Sequence, residues 1–177
     1  QLQRELLGTI DQIHRRKRPN SLQLDARINS YQLAGRMQLE ATDALDVNQE
    51  SQATLDAYGV GKDPTDSYAR RCLMARRLVE RGVRYVQLYI NAQIWDSHTN
   101  LKSSLETACG RTDQPVAALL KDLKQRGLLD DVLLIWGGEF GRLPIAQINN
   151  KKNTTSAGRD HGPRGFSIWM AGGGIKP

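Results

Sequence analysis

The sequence predicts an α/β domain, a parallel or mixed sheet flanked by helices, led in by a helical N-terminal segment. Three observations carry this reading. Residues 1–60 show only helical periodicity. From Gly61 onward helical stripes alternate with short β-branched and aromatic runs. Glycine-framed polar segments adjoin those runs, where open α/β sheets place their ligand loops.

The elements follow in order. Leu2, Leu6, Leu7, Ile10 and Ile13 recur at three- and four-residue spacing and form one apolar stripe. A basic run, His14 to Arg18, ends at Pro19, and Asn20-Ser21 can cap the next helix, which carries Leu24, Ile28, Tyr31, Leu33 and Met37. A shorter piece, Gln49 to Tyr58, stops at Gly59, a natural C-terminal cap. This first segment bears no motif that carries chemistry and reads as a scaffold or cap, with residues 61–177 as the site-bearing part.

Asp66 or Ser67 can open a helix through Leu73, Met74, Leu78 and Val79 that ends at Gly82. Val83-Arg-Tyr-Val-Gln-Leu-Tyr-Ile90 has the composition of a strand. After a polar loop comes a helix through Leu101 and Leu105, and a second one started by Thr112-Asp113-Gln114-Pro115, with Val116, Leu119, Leu120 and Leu123 on one face. Val132-Leu-Leu-Ile-Trp136 is a continuous apolar run, the pattern of a strand buried on both faces. Phe166-Ser-Ile-Trp-Met170 is the last predicted strand.

Composition narrows the function. A chain of 177 residues suffices for one domain with its own core and is too short for two. The net charge of +6 raises the question of nucleic acid, but the basic clusters at 14–18, Arg70-Arg71, Arg76-Arg77 and Lys151-Lys152 lack interleaved aromatic stacking platforms. Solvated helix ends and faces describe them better. Cys72 and Cys109 lack zinc or redox spacing and read as buried thiols. No apolar run is long enough to span a bilayer. With no initiator Met and no closing element after Ala171-Gly-Gly-Gly-Ile-Lys-Pro177, the sequence reads as a piece of a longer protein, incomplete at both ends.

Three loops hold the candidate chemistry. Trp95-Asp96-Ser97-His98 follows the run ending at Ile90, Glu139-Phe-Gly-Arg142 follows the run ending at Trp136, and Gly158-Arg-Asp160-His161-Gly162 precedes the run at Phe166. Two of the three histidines lie here, each within two residues of an aspartate. Imidazole with carboxylate suits zinc, manganese or iron. The same residues also serve as caps and turn formers in ordinary loops. Arg142 can pair with Glu139 or present its fork to a phosphate or sulfate oxygen. Arg159 and Arg164 add positive charge beside Asp160 and His161, which favours an anionic ligand.

At these loops the sequence resembles the bacterial domain of unknown function 1501 family, within the alkaline phosphatase and sulfatase-like superfamily. The resemblance rests on Trp-Asp-Ser-His at 95–98, Gly-Gly-Glu-Phe-Gly-Arg at 137–142, Gly-Arg-Asp-His at 158–161 and Ala-Gly-Gly-Gly-Ile-Lys at 171–176, and covers about the last two thirds of the chain. It implies an alkaline-phosphatase-like fold with one or two divalent metal ions, zinc or manganese, at the strand ends. Asp96 and His98 would ligate one metal together with His161. Glu139 would serve a second, Asp160 would ligate or orient His161, and Arg142 would steady the substrate anion. The implied activity is hydrolysis of phosphate or sulfate esters, small-molecule or polysaccharide, with a non-catalytic metal- or anion-binding module as the alternative. The superfamily's nucleophilic Ser or Thr lies near an N-terminal strand that this sequence does not contain, so no residue here is nominated as nucleophile. Export to the periplasm is a further implication of the resemblance.

Overall fold

A computed structural model of the chain describes residues 2–138, 140–148 and 156–176, leaving aside the side chains of 2–4 and 36–40. It divides into two compact units, Gln1–Asp46 and Val47–Pro177. Roughly half of the described residues are helical, and the strands are short.

The first unit is two helices, α1 (Leu2–Lys17) and α2 (Leu22–Leu45). Ser21 caps α2 as its sequence position suggests, its hydroxyl accepting from the Leu24 N–H at 3.4 Å. Arg15 ties the pair together, with Nε 2.9 Å from Asp25 Oδ1 and Nη2 donating to Asn29 Oδ1 at 3.1 Å. The stripe of Leu6, Leu7, Ile10 and Ile13 is exposed, and His14 lies on the surface as expected.

The second unit is built on three helices: α3 (Gln52–Tyr58), α4 (Asp66–Glu80) and α5 (Leu101–Gln125), preceded by a single 3₁₀ turn at Val47–Gln49. Its core gathers Val47, Tyr58, Val60, Tyr68, Ala69, Cys72, Leu73, Ala118, Leu119 and Leu123. Val47, Tyr58 and Val60 explain why the break falls after Asp46 and not near residue 60: their side chains belong to this core. Gly59 ends α3 at φ +81°, the left-handed cap that its position predicts. Cys72 is fully buried, and burial pushes its thiol up to about 12; Cys109 is half-buried.

Several expectations are corrected. The helix break at Thr112–Pro115 does not occur: α5 runs unbroken through Pro115. Ala108, Thr112, Pro115, Leu119 and Leu123 form one buried stripe, and packing of that stripe outweighs the backbone hydrogen bond that proline removes. Residues 83–90 form no paired strand among the described residues. They keep the alternation of one, with Leu88 and Ile90 packed against the core and Tyr85 and Tyr89 exposed. The segment is held instead by Arg71, whose Nη1 donates to the Tyr89 carbonyl at 2.6 Å and whose Nη2 donates to Asn91 Oδ1 at 3.0 Å.

The two remaining predicted strands form and pair with each other. β1 (Leu133–Gly137), β2 (Gly141–Arg142), β3 (His161–Gly162) and β4 (Ile168–Gly172) make two antiparallel pairs, β1 with β4 and β2 with β3. Parallel pairing is therefore not seen among the described residues. β1 is covered on one face only: Leu134 and Trp136 pack on the core while Leu133 and Ile135 are exposed, against the two-sided burial its apolar run suggests. Trp136 faces Trp169 across the pair, their rings stacked at 6.3 Å, and Trp95 meets Trp136 edge-on at 5.8 Å.

Arg76 and Arg77 overturn the solvated-face reading most clearly, being 2% and 5% exposed. Arg76 reaches Glu50 Oε2 at 2.6 Å, Glu80 Oε2 at 2.6 Å and Asp122 Oδ2 at 3.0 Å. Arg77 pairs with the other oxygen of Glu50, and Arg126 reaches Asp122 at 2.6 Å and Glu80 at 2.8 Å. Tyr58 donates its hydroxyl to Asp122 Oδ2 at 2.9 Å. Three guanidiniums thus meet three carboxylates across the 3₁₀ turn, α4 and α5. Burial alone pushes the Glu50 carboxyl up, but Arg76 and Arg77 together outweigh it and hold the group below the usual carboxylate range.

A lowered folded-state pKa stabilises the fold above the ordinary carboxylate range, and that stabilisation is lost as pH falls through the folded value. Glu50→Ala should cost up to about 3–5 kcal/mol, because Arg76 and Arg77 both lose the buried carboxylate they share. Thermal melts at neutral pH and in steps toward acid should show a lower Tm for the variant and a shallower acid dependence than in the native chain. Equal Tm values at neutral pH would mean that the network contributes little.

Candidate functional site

Three segments, 95–100, 140–147 and 156–162, are sewn together by backbone hydrogen bonds. The Asn100 and Leu101 N–H groups donate to the Ser156 and Ala157 carbonyls at 2.9 and 3.1 Å, and the Arg159 N–H to the Ser97 carbonyl at 2.9 Å. Gln147 and Gly158 exchange both of their backbone bonds, at 2.9 and 3.0 Å, and the Leu143 N–H donates to the Asp160 carbonyl at 2.9 Å. The β2–β3 pair sets Arg142 opposite His161. Gly158 is buried where a Cβ would lie 2.0 Å from the His98 carbonyl carbon and 2.4 Å from the Ser97 oxygen. Only glycine permits that approach.

This stitching brings four of the expected residues together. Asp96 Oδ1 lies 3.1 Å from His98 Nε2 and 3.5 Å from His161 Nε2, and the two imidazole nitrogens are 2.9 Å apart. Arg142 Nη1 approaches the same aspartate oxygen at 2.7 Å. Neither that oxygen nor the arginine nitrogen is reached by solvent or forms a well-directed hydrogen bond, so the contact is an ion pair. Arg142, ahead of the two imidazoles, holds the Asp96 carboxyl below the usual carboxylate range. Phe140 tilts against the His161 ring at 4.7 Å, and the two imidazoles stack at 4.8 Å.

Donor separations of 2.9, 3.1 and 3.5 Å fit one small cation. Ligands of a tetrahedral ion with bonds of about 2.0–2.1 Å stand about 3.3–3.4 Å apart. Asp96, His98 and His161 are the group among the described residues that meets this condition.

The other expected residues are placed differently. Asp160 stands outside the triad: its Oδ1 accepts from the His161 backbone N–H at 2.8 Å and lies 3.8 Å from His98 Nδ1, on the far side of that ring from Asp96. Glu139 lies outside the described residues, so its proposed second-metal role stays with the sequence. Arg142 pairs with Asp96, the ion-pair role anticipated for it but with another carboxylate. Arg159 turns its head to backbone, Nη1 donating to the Leu143 carbonyl at 3.2 Å and to that of Pro144. Arg164 is exposed.

Over residues 1–177 the sequence matches the family described as "Protein of unknown function (DUF1501)". The chain belongs to that family. No curated protein and no solved structure matches it.

One contact of this DUF1501 chain was not foreseen from its sequence. Gln147 Oε1 lies 2.8 Å from His98 Nδ1. An isolated Gln in a polar loop offers no spacing signal, and it reaches His98 only because its backbone bridges Gly158. Ser97, between two site residues, is 5% exposed with its hydroxyl shielded from solvent, which withholds it from attack on a substrate.

Gly158→Ala should disrupt the whole arrangement. The added methyl meets backbone and not a flexible side chain, so one of the two segments must shift, at a cost of about 1–3 kcal/mol. A fall in Tm together with altered His98 and His161 ring signals in NMR is expected; unchanged ring signals would show that the segments tolerate separation.

Proposed function

We propose that this chain carries the metal-binding part of a metal-dependent hydrolase of phosphate or sulfate esters, of the alkaline-phosphatase and sulfatase-like kind. The observation that carries the reading is the convergence of Asp96 Oδ1, His98 Nε2 and His161 Nε2 at ligand spacing. The set of one carboxylate and two imidazoles suits zinc or manganese over magnesium or calcium. When bound, such an ion would supply Lewis-acid polarisation of a phosphoryl or sulfuryl oxygen.

The chain's own residues would do the rest. Asp96, His98 and His161 hold the ion, and Phe140 and the neighbouring imidazole pack on the His161 ring and limit its rotation. Arg142, paired with Asp96, is a cationic group in contact with that cluster and is suited to an anionic ester. No residue of this sequence is nominated as nucleophile, and Ser97, beside the cluster, is shielded from solvent, which favours as a second reading a module that binds metal or anion without turnover.

Zinc and manganese titrations of the native chain, Asp96→Ala and His161→Ala separate the possibilities. Removal of a direct ligand should weaken binding beyond the roughly 10–100-fold typical of an outer-shell loss. Metal content unaffected by both substitutions would exclude this site. In the full-length protein, tight metal binding without turnover across phosphate and sulfate esters would select the non-catalytic reading.

A further inference from the structure

His98 has two ring nitrogens with different surroundings. Nε2 faces Asp96 Oδ1 and His161 Nε2, whereas Nδ1 faces Gln147 Oε1 at 2.8 Å, with Asp160 Oδ1 beyond it at 3.8 Å. A neutral imidazole carries its proton on one nitrogen only, and the nitrogen without it is the one that can donate a lone pair to a metal. Whatever faces Nδ1 therefore decides what Nε2 can do.

We infer that Gln147 is a positioning residue: its side-chain carbonyl accepts the His98 Nδ1 proton and so turns the Nε2 lone pair toward Asp96 and His161. This inference rests on the proposed metal site for its purpose, but not for its geometry. Two independent features support it. Asp160 contributes a carboxylate, which when ionised only accepts, on the Nδ1 side of the ring. Asp96 Oδ1, on the Nε2 side at 3.1 Å, is paired with Arg142 and forms no well-directed hydrogen bond with the ring, so it does not fix the proton on Nε2. The reach of Gln147 is also fixed at its root, because its backbone exchanges both hydrogen bonds with Gly158, the glycine pressed against His98. The site thus has the second layer that metal-binding histidines normally require.

The prediction is that His98 in the native, metal-free chain carries its proton on Nδ1. Long-range 1H–15N NMR on the full chain reads this directly; with three histidines in the sequence the assignment is tractable. Gln147→Met, of similar length but without the carbonyl, should move His98 toward the Nε2-protonated form and weaken zinc binding about 10–100-fold. Gln147→Glu, which keeps an acceptor, should retain both the Nδ1 proton and the affinity; since Met and Glu both fill the space, loss in Gln147→Met alone separates an acceptor role from a space-filling one. A native His98 protonated mainly on Nε2, or a tautomer ratio unmoved in a folded Gln147→Met chain, would overturn the inference. If the native chain shows the Nδ1 proton and its loss in Gln147→Met yet binds no zinc or manganese, the positioning role of Gln147 stands and the metal reading falls.

Discussion

Close approach of backbone to backbone at Gly158 governs the candidate site. The segment 156–162 lies against 97–101 so tightly that a methyl group at position 158 would overlap the His98 carbonyl. Five of the site's contacts follow from that one seat. Arg159 N–H reaches Ser97, Asn100 and Leu101 N–H groups reach Ser156 and Ala157, and Gln147 closes its two-bond bridge to Gly158. His161, three residues further along, is thereby delivered to His98 and Asp96, more than sixty positions earlier in the chain. A looser packing of these loops would leave the same residues on the same chain without a shared pocket.

That seat depends in turn on the helices. α5 starts at Leu101, directly after the segment that carries Asp96 and His98, and Asn100 makes the turn at φ +51°. The helix is anchored at its other end by Asp122 and Arg126 in the buried charge network with Arg76, Glu50 and Glu80. Buried ion pairs add little net stability over apolar packing, but they penalise any register in which a charge loses its partner. The network therefore sets the alignment of α4, α5 and the 3₁₀ turn more than it deepens the core. Pro115, which should have broken α5, sits inside this aligned and buried stretch, so the 25-residue helix transmits the alignment of its C-terminal end to the loop at its N-terminus.

What could be read from the letters, and what could not, divides along physical lines. Local signals held: Ser21 as a cap, Gly59 as a left-handed stop, and the apolar runs around 132–136 and 166–170 as strands. Asp-x-His and Asp-His pairs at loop positions pointed to Asp96, His98 and His161, which the fold brings together. Long-range facts were not legible. Arg76-Arg77 reads as a solvated basic pair because two of the three carboxylates that bury it, Glu50 and Asp122, lie 26 and 46 residues from Arg76 in sequence. Residues 83–90 have strand composition and even strand alternation, but pairing requires a partner edge, and composition cannot say whether one is present. Gln147 was invisible for the same reason: its importance lies in what it touches, not in what surrounds it in sequence.

Charge arithmetic connects the site to the kind of substrate proposed for it. Asp96 brings one negative charge and Arg142, at 2.7 Å, one positive charge, so the pair is close to neutral before any ion arrives. Imidazoles as ligands contribute no negative charge. A divalent ion held by this set would leave the pocket with an excess of about two positive charges, and Asp160, with its carboxylate oxygen 3.8 Å from the outer nitrogen of His98, offsets only part of it. In a partly desolvated loop pocket that excess is costly unless something anionic completes it. A neutral ligand would leave the imbalance in place, whereas a phosphate or sulfate ester removes it and can take the Arg142 fork at the same time. Arg142 is thus shared between two partners: it neutralises Asp96 in the chain as it stands, and on the proposed reading its charge contributes to selecting an anion once a metal is present.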